Sequence, residues 1–302
     1  MLASTTETHA GRVLRVARLG SGPPVILLHG YPDNLQIWSE LAPWLATRFK
    51  VIDFDWPGMG FSEAWSGGAT PFDFARRLRT LMDAWGIERA AIIGHDMGGQ
   101  PALAFAAEYP SRISQLVVMN SLVIWDEKTS WEIALLRKFG WNRVLLERLP
   151  RAVFFRAIRT FLPAGYKLSG ELRSDLWESF QRPEVRRFVV RMCAGYQGTL
   201  PRLKQLYPSI EAPSLFLWAE RDKHFPVAHA RKLATIVPGA NLEEISGVGH
   251  WMALNLAEEV STRILRFLDS PPRKATPRQP PDFREKEQQN TARRLDAFDG
   301  DR

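Results

Sequence analysis

The sequence predicts an α/β protein, with a mostly parallel central sheet covered by helices on both faces and an all-helical block inserted in the middle of the chain. Three observations carry this. First, short apolar runs recur, each closed by Gly, Pro or a polar residue: VILLHG (25–30), VIDFDWPG (51–58), AAIIGHD (90–96), LVVMN (116–120), LFLWAE (215–220) and LEEISG (242–247). Runs this short and rich in Val, Ile and Leu read as strands. Second, helix-length segments such as 72–85, 97–108 and 226–236 lie between several of them, and that alternation implies parallel strands joined by crossover helices. Third, the alternation stops from 125 to 207. There the spacing is helical: Trp131, Leu135 and Phe139; Phe154, Ile158 and Phe161; Leu172, Leu176 and Phe180; Val185, Val189 and Met192.

Taken in order, RVLRVARL (12–19) is expected to be an antiparallel edge strand ahead of the first parallel one. Residues 1–124 and 208–269 then form the α/β core, and 125–207 form a cap, or lid, over the sheet. The segment 270–302 is rich in Pro and charge and poor in large apolar side chains, so it is expected to be disordered. No internal repeat is present.

With 302 residues, 45% of them hydrophobic and 24% charged, the chain has an ordinary globular composition. The opening stretch MLASTTETHAGRVLRV lacks the apolar run of a signal peptide, and no stretch reaches the roughly 18 apolar residues of a membrane span. Cys193 is the only cysteine, which rules out an intrachain disulfide and a cysteine-based zinc site. A reducing cytoplasm is the expected location, and neither a metal nor a cofactor is expected. The formal charge of +7 is concentrated, since residues 125–207 hold 16 Lys and Arg against 8 Asp and Glu. No helix-turn-helix, RNP or zinc-finger pattern accompanies that excess, so no nucleic-acid partner is expected. The charge reads as solvated helix faces.

The chemistry is concentrated at GHDMGG (94–99). Gly94, His95, Asp96, Met97 and Gly98 fit the strand-turn-helix pattern G-x-S-x-G, with Asp96 where a serine nucleophile would stand. Such a turn lifts one side chain above the sheet, and glycines flank it because a Cβ there would clash. The bland alternative for Asp96 is a helix N-cap. Its partners favour the catalytic reading, because triads on this architecture run nucleophile, acid, base along the chain. Asp222, in WAERDKHFPV, follows the strand at 215–218, where the acid belongs. His250, in GVGHWMAL, follows the strand at 242–245, where the base belongs. HGYPD (29–33) follows the first parallel strand, placing the Tyr31 N–H beside that of Met97 as an oxyanion-hole pair. The Tyr31–Pro32 bond is a candidate cis peptide.

With HGYP, DWPGMG, GHDMGG, WAERD and GVGH in order from about residue 12 to 268, the chain resembles α/β-hydrolases of the epoxide hydrolase and haloalkane dehalogenase branch. That resemblance implies an Asp96 nucleophile that forms an ester with an sp³ carbon, His250 as the base that activates water, and Asp222 as its orienting acid. It also implies cap tyrosines that donate to an epoxide oxygen. Tyr196, 26 residues before Asp222, lies where the later one belongs. The earlier tyrosine belongs near 145–157, where Phe154 and Phe155 stand instead; Tyr166 is a substitute candidate.

Haloalkane dehalogenases resemble the chain too, but they imply a tryptophan directly after the nucleophile, where Met97 stands. Fluoroacetate dehalogenases share HGYP yet imply arginines where Met97 and Gln100 stand. The expected pocket-lining residues are His29, Pro32, Trp125, Phe154, Phe155, Tyr166 and Trp251. The leading expectation is hydrolysis of a small apolar or amphipathic epoxide to a vicinal diol, with haloalkane or haloacid dehalogenation as the alternative. A third reading is a non-catalytic binding protein, because RKFGWNRVLLERLPRAVFFRAIRTF (137–161) has the composition of a weak membrane-surface binder.

Overall fold

The Val-, Ile- and Leu-rich runs do form strands, and they assemble into one sheet. The computed structural model describes residues 1–138, 140–163 and 165–270. Phe139, which completes one helical spacing, and the segment 271–302 lie outside the described residues. The eight strands are β1 (Thr5–His9), β2 (Arg12–Leu19), β3 (Pro24–Leu28), β4 (Lys50–Phe54), β5 (Ala90–His95), β6 (Ile113–Met119), β7 (Ser214–Ala219) and β8 (Asn241–Ile245). Their order across the sheet is β1-β2-β4-β3-β5-β6-β7-β8. The β1–β2 and β2–β4 pairs are antiparallel and the remaining pairs are parallel. Every residue of β5 and β7 is buried, as expected of strands covered on both faces.

One sequence expectation needs correcting. Residues 12–19 are antiparallel, but they are not the edge, because β1 pairs outside them. The hairpin turns through Ala10 and Gly11, both at positive φ (50° and 72°), the conformation a tight two-residue connection needs. The signal for β1 was the β-branched Thr5, Thr6 and Thr8 next to that Ala-Gly step.

The helices are α1 (Ala42–Leu45), α2 (Pro71–Ala84), α3 (Gly99–Glu108), α4 (Trp131–Leu136), α5 (Trp141–Arg148), α6 (Pro150–Phe161), α7 (Gly170–Phe180), α8 (Pro183–Leu206), α9 (Ala228–Ile236), α10 (Met252–Asn255) and α11 (Ala257–Asp269). Helix α2 starts in a reciprocal cap. The Thr70 hydroxyl accepts from the Asp73 N–H, and the Asp73 carboxylate accepts from the Thr70 N–H. Among the described residues five helices, α4 to α8, lie between β6 and β7. A polar clamp ties this insert to the sheet. Arg15 of β2 donates to both Asp175 oxygens of α7 at 3.2 and 2.8 Å, and Asn34 donates to the same carboxylate at 2.7 Å. No helix among the described residues is long and apolar enough to cross a membrane.

The chain leaves β3 to one side to make β4 and returns on the other side to make β5. Strand order therefore reverses between β3 and β5, and the crevice beyond their carboxyl ends is where sheets of this kind bind ligands. HGYPD leaves β3 there, and GHDMGG leaves β5 there.

Candidate active site

The turn after β5 is tight enough to exclude side chains at its glycines. A Cβ on Gly94 would strike the Gly98 carbonyl, and one on Gly98 would strike the Leu28 carbonyl of β3. Between them Asp96 sits at φ 50°, a left-handed conformation that Asp tolerates better than most residues but that still carries strain. Its carbonyl accepts from the Ser121 hydroxyl at 2.5 Å, which pins the bend. Gly30 is required for a different reason: a Cβ there would overlap the Asp96 carboxylate itself. Asp96 Oδ2 accepts from the Tyr31 N–H at 2.8 Å, and the Met97 N–H also favours the charged carboxylate. The Tyr31–Pro32 bond is cis.

Oδ1 of the same carboxylate faces the imidazole, 3.9 Å from His250 Nε2. His250 donates from Nδ1 to Asp222 Oδ2 at 2.8 Å. That bond fixes the tautomer and leaves Nε2 as a lone pair with no partner, aimed at the space beside Asp96. Asp222 is held in turn. Asn120 Nδ2 donates to Oδ2 at 2.5 Å, and the His224 and Phe225 N–H groups donate to Oδ1.

Burial and neighbours set the proton affinities. Burial pushes the Asp96 carboxyl up to about 7, against the pull of His250 and the two N–H groups. Burial would raise Asp222 too, but His250, Asn120 and the backbone donor hold it down at about 2. His250 is raised: burial disfavours its charge, yet Asp222 and Asp96 outweigh that. His95, the neighbour of Asp96, is pushed down to about 4 by burial and by His250, and it donates from Nε2 to the His250 carbonyl at 3.0 Å.

In front of Asp96 lies a cavity of about 380 Å³. Its sheet-side wall includes Tyr31, Pro32, Asp96, Met97, Gln100 and Phe225. Its helical wall includes Leu136, Leu145, Val153, Ala157, Phe161 and Tyr196. The Tyr196 hydroxyl is buried without a hydrogen-bond partner, and burial raises it well above the ordinary phenol value. Tyr31 lines the same cavity, and its hydroxyl is likewise buried and unpartnered.

The structure thus brings Asp96, Asp222, His250, Met97, Tyr31, Tyr196 and Pro32 together, but six expected lining residues stay away from the cavity wall. His29 is buried beneath it, accepting from the Trp56 N–H through Nε2. Trp251 packs edge-on against Phe161. Trp125 lies under the Arg137 guanidinium, 3.7 Å from its ring centre. Phe154 is buried against Trp177 and Phe180 on the far side of α6, and the exposed Phe155 stacks on Trp177. Tyr166 is exposed and donates to the Leu254 carbonyl.

Sequence reasoning missed Asn120, whose φ of 38° and place at the end of β6 were its only signals. It also missed the lining residues Cys193, His224 and Phe225. Among the described residues no cluster of His, Cys, Asp or Glu has the arrangement to hold a metal ion.

A family model described as the alpha/beta hydrolase fold matches residues 23–255. The 2-hydroxy-6-oxo-6-phenylhexa-2,4-dienoate hydrolase of Comamonas testosteroni is 31% identical over 263 residues, covering 82% of this chain and 88% of that one. Among solved structures, the enol-lactonase from Burkholderia xenovorans superposes with a TM-score of 0.75 at 22% identity, covering 88% of this chain and all of that one (100%). An epoxide hydrolase solved without ligand gives 0.75 at 20% identity, over 89% of this chain and 99% of that one. At such identities the two structures speak for the fold alone.

Proposed function

The chain belongs to the α/β-hydrolase fold family, and from that premise we propose that it opens an epoxide to a vicinal diol through an ester on Asp96. The observation that carries this reading is the division of labour within one carboxylate. Oδ2 already sits against the Tyr31 N–H, whereas Oδ1 is free and faces His250 Nε2 across 3.9 Å. A serine at this bend would present one oxygen to an acyl carbon. A carboxylate presents a nucleophilic oxygen to an sp³ carbon and keeps its second oxygen in the oxyanion site.

In the first step Asp96 Oδ1 bonds to an epoxide carbon, the ring C–O bond breaks, and Tyr196 gives its proton to the departing oxygen. In the second, His250 Nε2 takes a proton from water as the water oxygen adds to Asp96 Cγ. The Tyr31 and Met97 N–H groups hold the charge that builds on Oδ2. Collapse releases the diol, whose second oxygen takes the proton from His250. The carboxylic acid left on Asp96 then gives up its proton, and Tyr196 is restored. Residues 125–207 act as the cap that supplies Tyr196 and the apolar wall. An epoxide needs a hydroxyl donor for its oxygen, and Tyr196 supplies one. A departing halide needs indole N–H donors, and Trp131, largely exposed at the rim, is the only tryptophan among the lining residues described.

A single turnover of styrene oxide in ¹⁸O-water, followed by peptide mass analysis, tests the ester. The label is expected in the Asp96 peptide and not in the first diol released, and His250→Gln is expected to accumulate the alkylated peptide. Label found only in the diol would refute the reading.

A further inference from the structure

We propose that the outer face of α4, α5 and α6 docks on an anionic lipid bilayer, with the mouth of the cavity set against the membrane. The outward stripes of these helices mix apolar and cationic side chains in a way that solvent does not favour. Trp131 is 65% exposed, Trp141 61% and Leu149 52%, and Val144 and Phe155 are also exposed. On α5, Trp141, Val144 and Arg148 fall at i, i+3 and i+7, one face of the helix; on α6, Arg151, Phe155 and Arg159 fall at i, i+4 and i+8. All six are exposed. Tryptophan at the surface beside Arg is the composition of an interfacial segment, where the indole ring sits at headgroup depth and the cations meet lipid phosphate.

Charge selects the occupant. Residues 131–161 carry seven Arg or Lys against two Glu, a local charge of 7 − 2 = +5. Both glutamates are already paired, Glu132 with Arg156 and Glu147 with Arg143. Among the described residues, Lys138, Arg148, Arg151 and Arg159 have no acidic partner within ion-pair distance. A second copy would bring the same +5 to the contact and be repelled, whereas an anionic headgroup layer would neutralise it. Trp131 and Leu149 are exposed and also line the cavity, so the apolar surface borders the cavity rim. A lipid-dissolved substrate would then enter without crossing water. The docking itself does not depend on the reaction assigned to Asp96.

The test is cosedimentation of the full chain with phosphatidylcholine vesicles and with vesicles of equal parts phosphatidylcholine and phosphatidylglycerol. The protein is expected to pellet with the anionic vesicles and to be released by salt. Each cation near such a surface is worth about 1 kcal/mol, or about fivefold. The Arg148→Gln/Arg151→Gln double variant is therefore expected to bind about 25-fold more weakly. Trp141→Ser is expected to weaken binding with the salt dependence unchanged, and melting curves like the wild type's show that both variants are folded. Equal pelleting with neutral and anionic vesicles, or binding indifferent to all three substitutions, would overturn the proposal. So would a wild-type dimer at sedimentation equilibrium that Trp141→Ser dissolves, since the face would then be covered by a second copy.

Discussion

On the sheet side of the cavity, polar atoms hold one another in place. Asp222 accepts four hydrogen bonds, from His250, Asn120 and two backbone N–H groups, and Asp96 is held at its side chain by Tyr31 and at its carbonyl by Ser121. On the helical side, α6 turns Val153, Ala157 and Phe161 toward the cavity, and α5 adds Leu145; none of these side chains fixes an orientation by hydrogen bonding. Among the described lining residues, Tyr196 brings a buried hydroxyl with no protein partner, and Thr160 of α6 brings a hydroxyl that meets His224 Nε2 at 2.8 Å. In the proposed reaction, then, the chemistry rests on strand ends that cannot move without breaking the sheet. Recognition is assigned to the largely apolar helical wall. Changes on the sheet side should therefore abolish turnover, and changes on the helical side should redirect it.

Tyr196 is the sharpest way to break that rule, because the proposed reaction puts chemistry on the adaptable side. If its proton goes to the epoxide oxygen, Tyr196→Phe removes general-acid help worth roughly 10²- to 10³-fold in kcat/KM. The substitution deletes only an oxygen that is buried and unsatisfied, so stability is expected to hold or to rise by about 1 kcal/mol. Epoxide turnover and a thermal melt on the same sample read both. A loss of activity matched by a loss of stability would reassign the hydroxyl to structure.

The pH profile sharpens the comparison from the sheet side. In the proposed reaction Asp96 attacks as a carboxylate, and burial raises its pKa to about 7. The charged form therefore dominates above about 7 and is lost as pH falls below it. The alkylation rate is expected to drop about tenfold per pH unit on the acid side and to level off on the alkaline side. Asp222, held at about 2, stays charged throughout, and Tyr196, raised above the usual phenol range, keeps its proton. Rapid-quench measurement of ester formation from pH 5 to 9 reads this directly, and a rate that falls as pH rises would contradict the assignment of Asp96.

How much of this was legible beforehand follows the same division. Glycines at 94 and 98 announce a bend that only they fit, and Asp222 and His250 are anchored to strand ends that short apolar runs reveal. The helical wall was not legible, because successive helix positions are about 100° apart. On α6 the cavity receives residues 152, 153, 156, 157, 160 and 161, one continuous face. Phe154 and Phe155 sit on either side of that face, one in the core and one in solvent, although they are the large apolar residues that spacing singles out. Phase, which apolarity alone does not fix, decided the outcome. The Asn120 contact was hidden for a related reason: it pairs residues 102 positions apart through two strand ends that become neighbours only in the sheet.

The smallest effect tests the adaptable wall where it carries no chemistry. Val153 lines the cavity from α6 and is half-buried, so a larger side chain there has open space to enter. Val153→Phe is expected to shorten the cavity at little cost in stability, since it fills an existing void and does not overpack the core. A bulky aryl epoxide should lose about tenfold in kcat/KM, the 1–3 kcal/mol range a pocket wall commands over substrate size, and a short alkyl epoxide should be turned over within about twofold of wild type. The loss should fall on KM, because Val153 lines the cavity and would meet the substrate and not the reacting atoms. An equal drop in kcat for both substrates would mean that the wall and the carboxylate are coupled after all, and the separation between a rigid chemical side and a yielding recognition side would not hold.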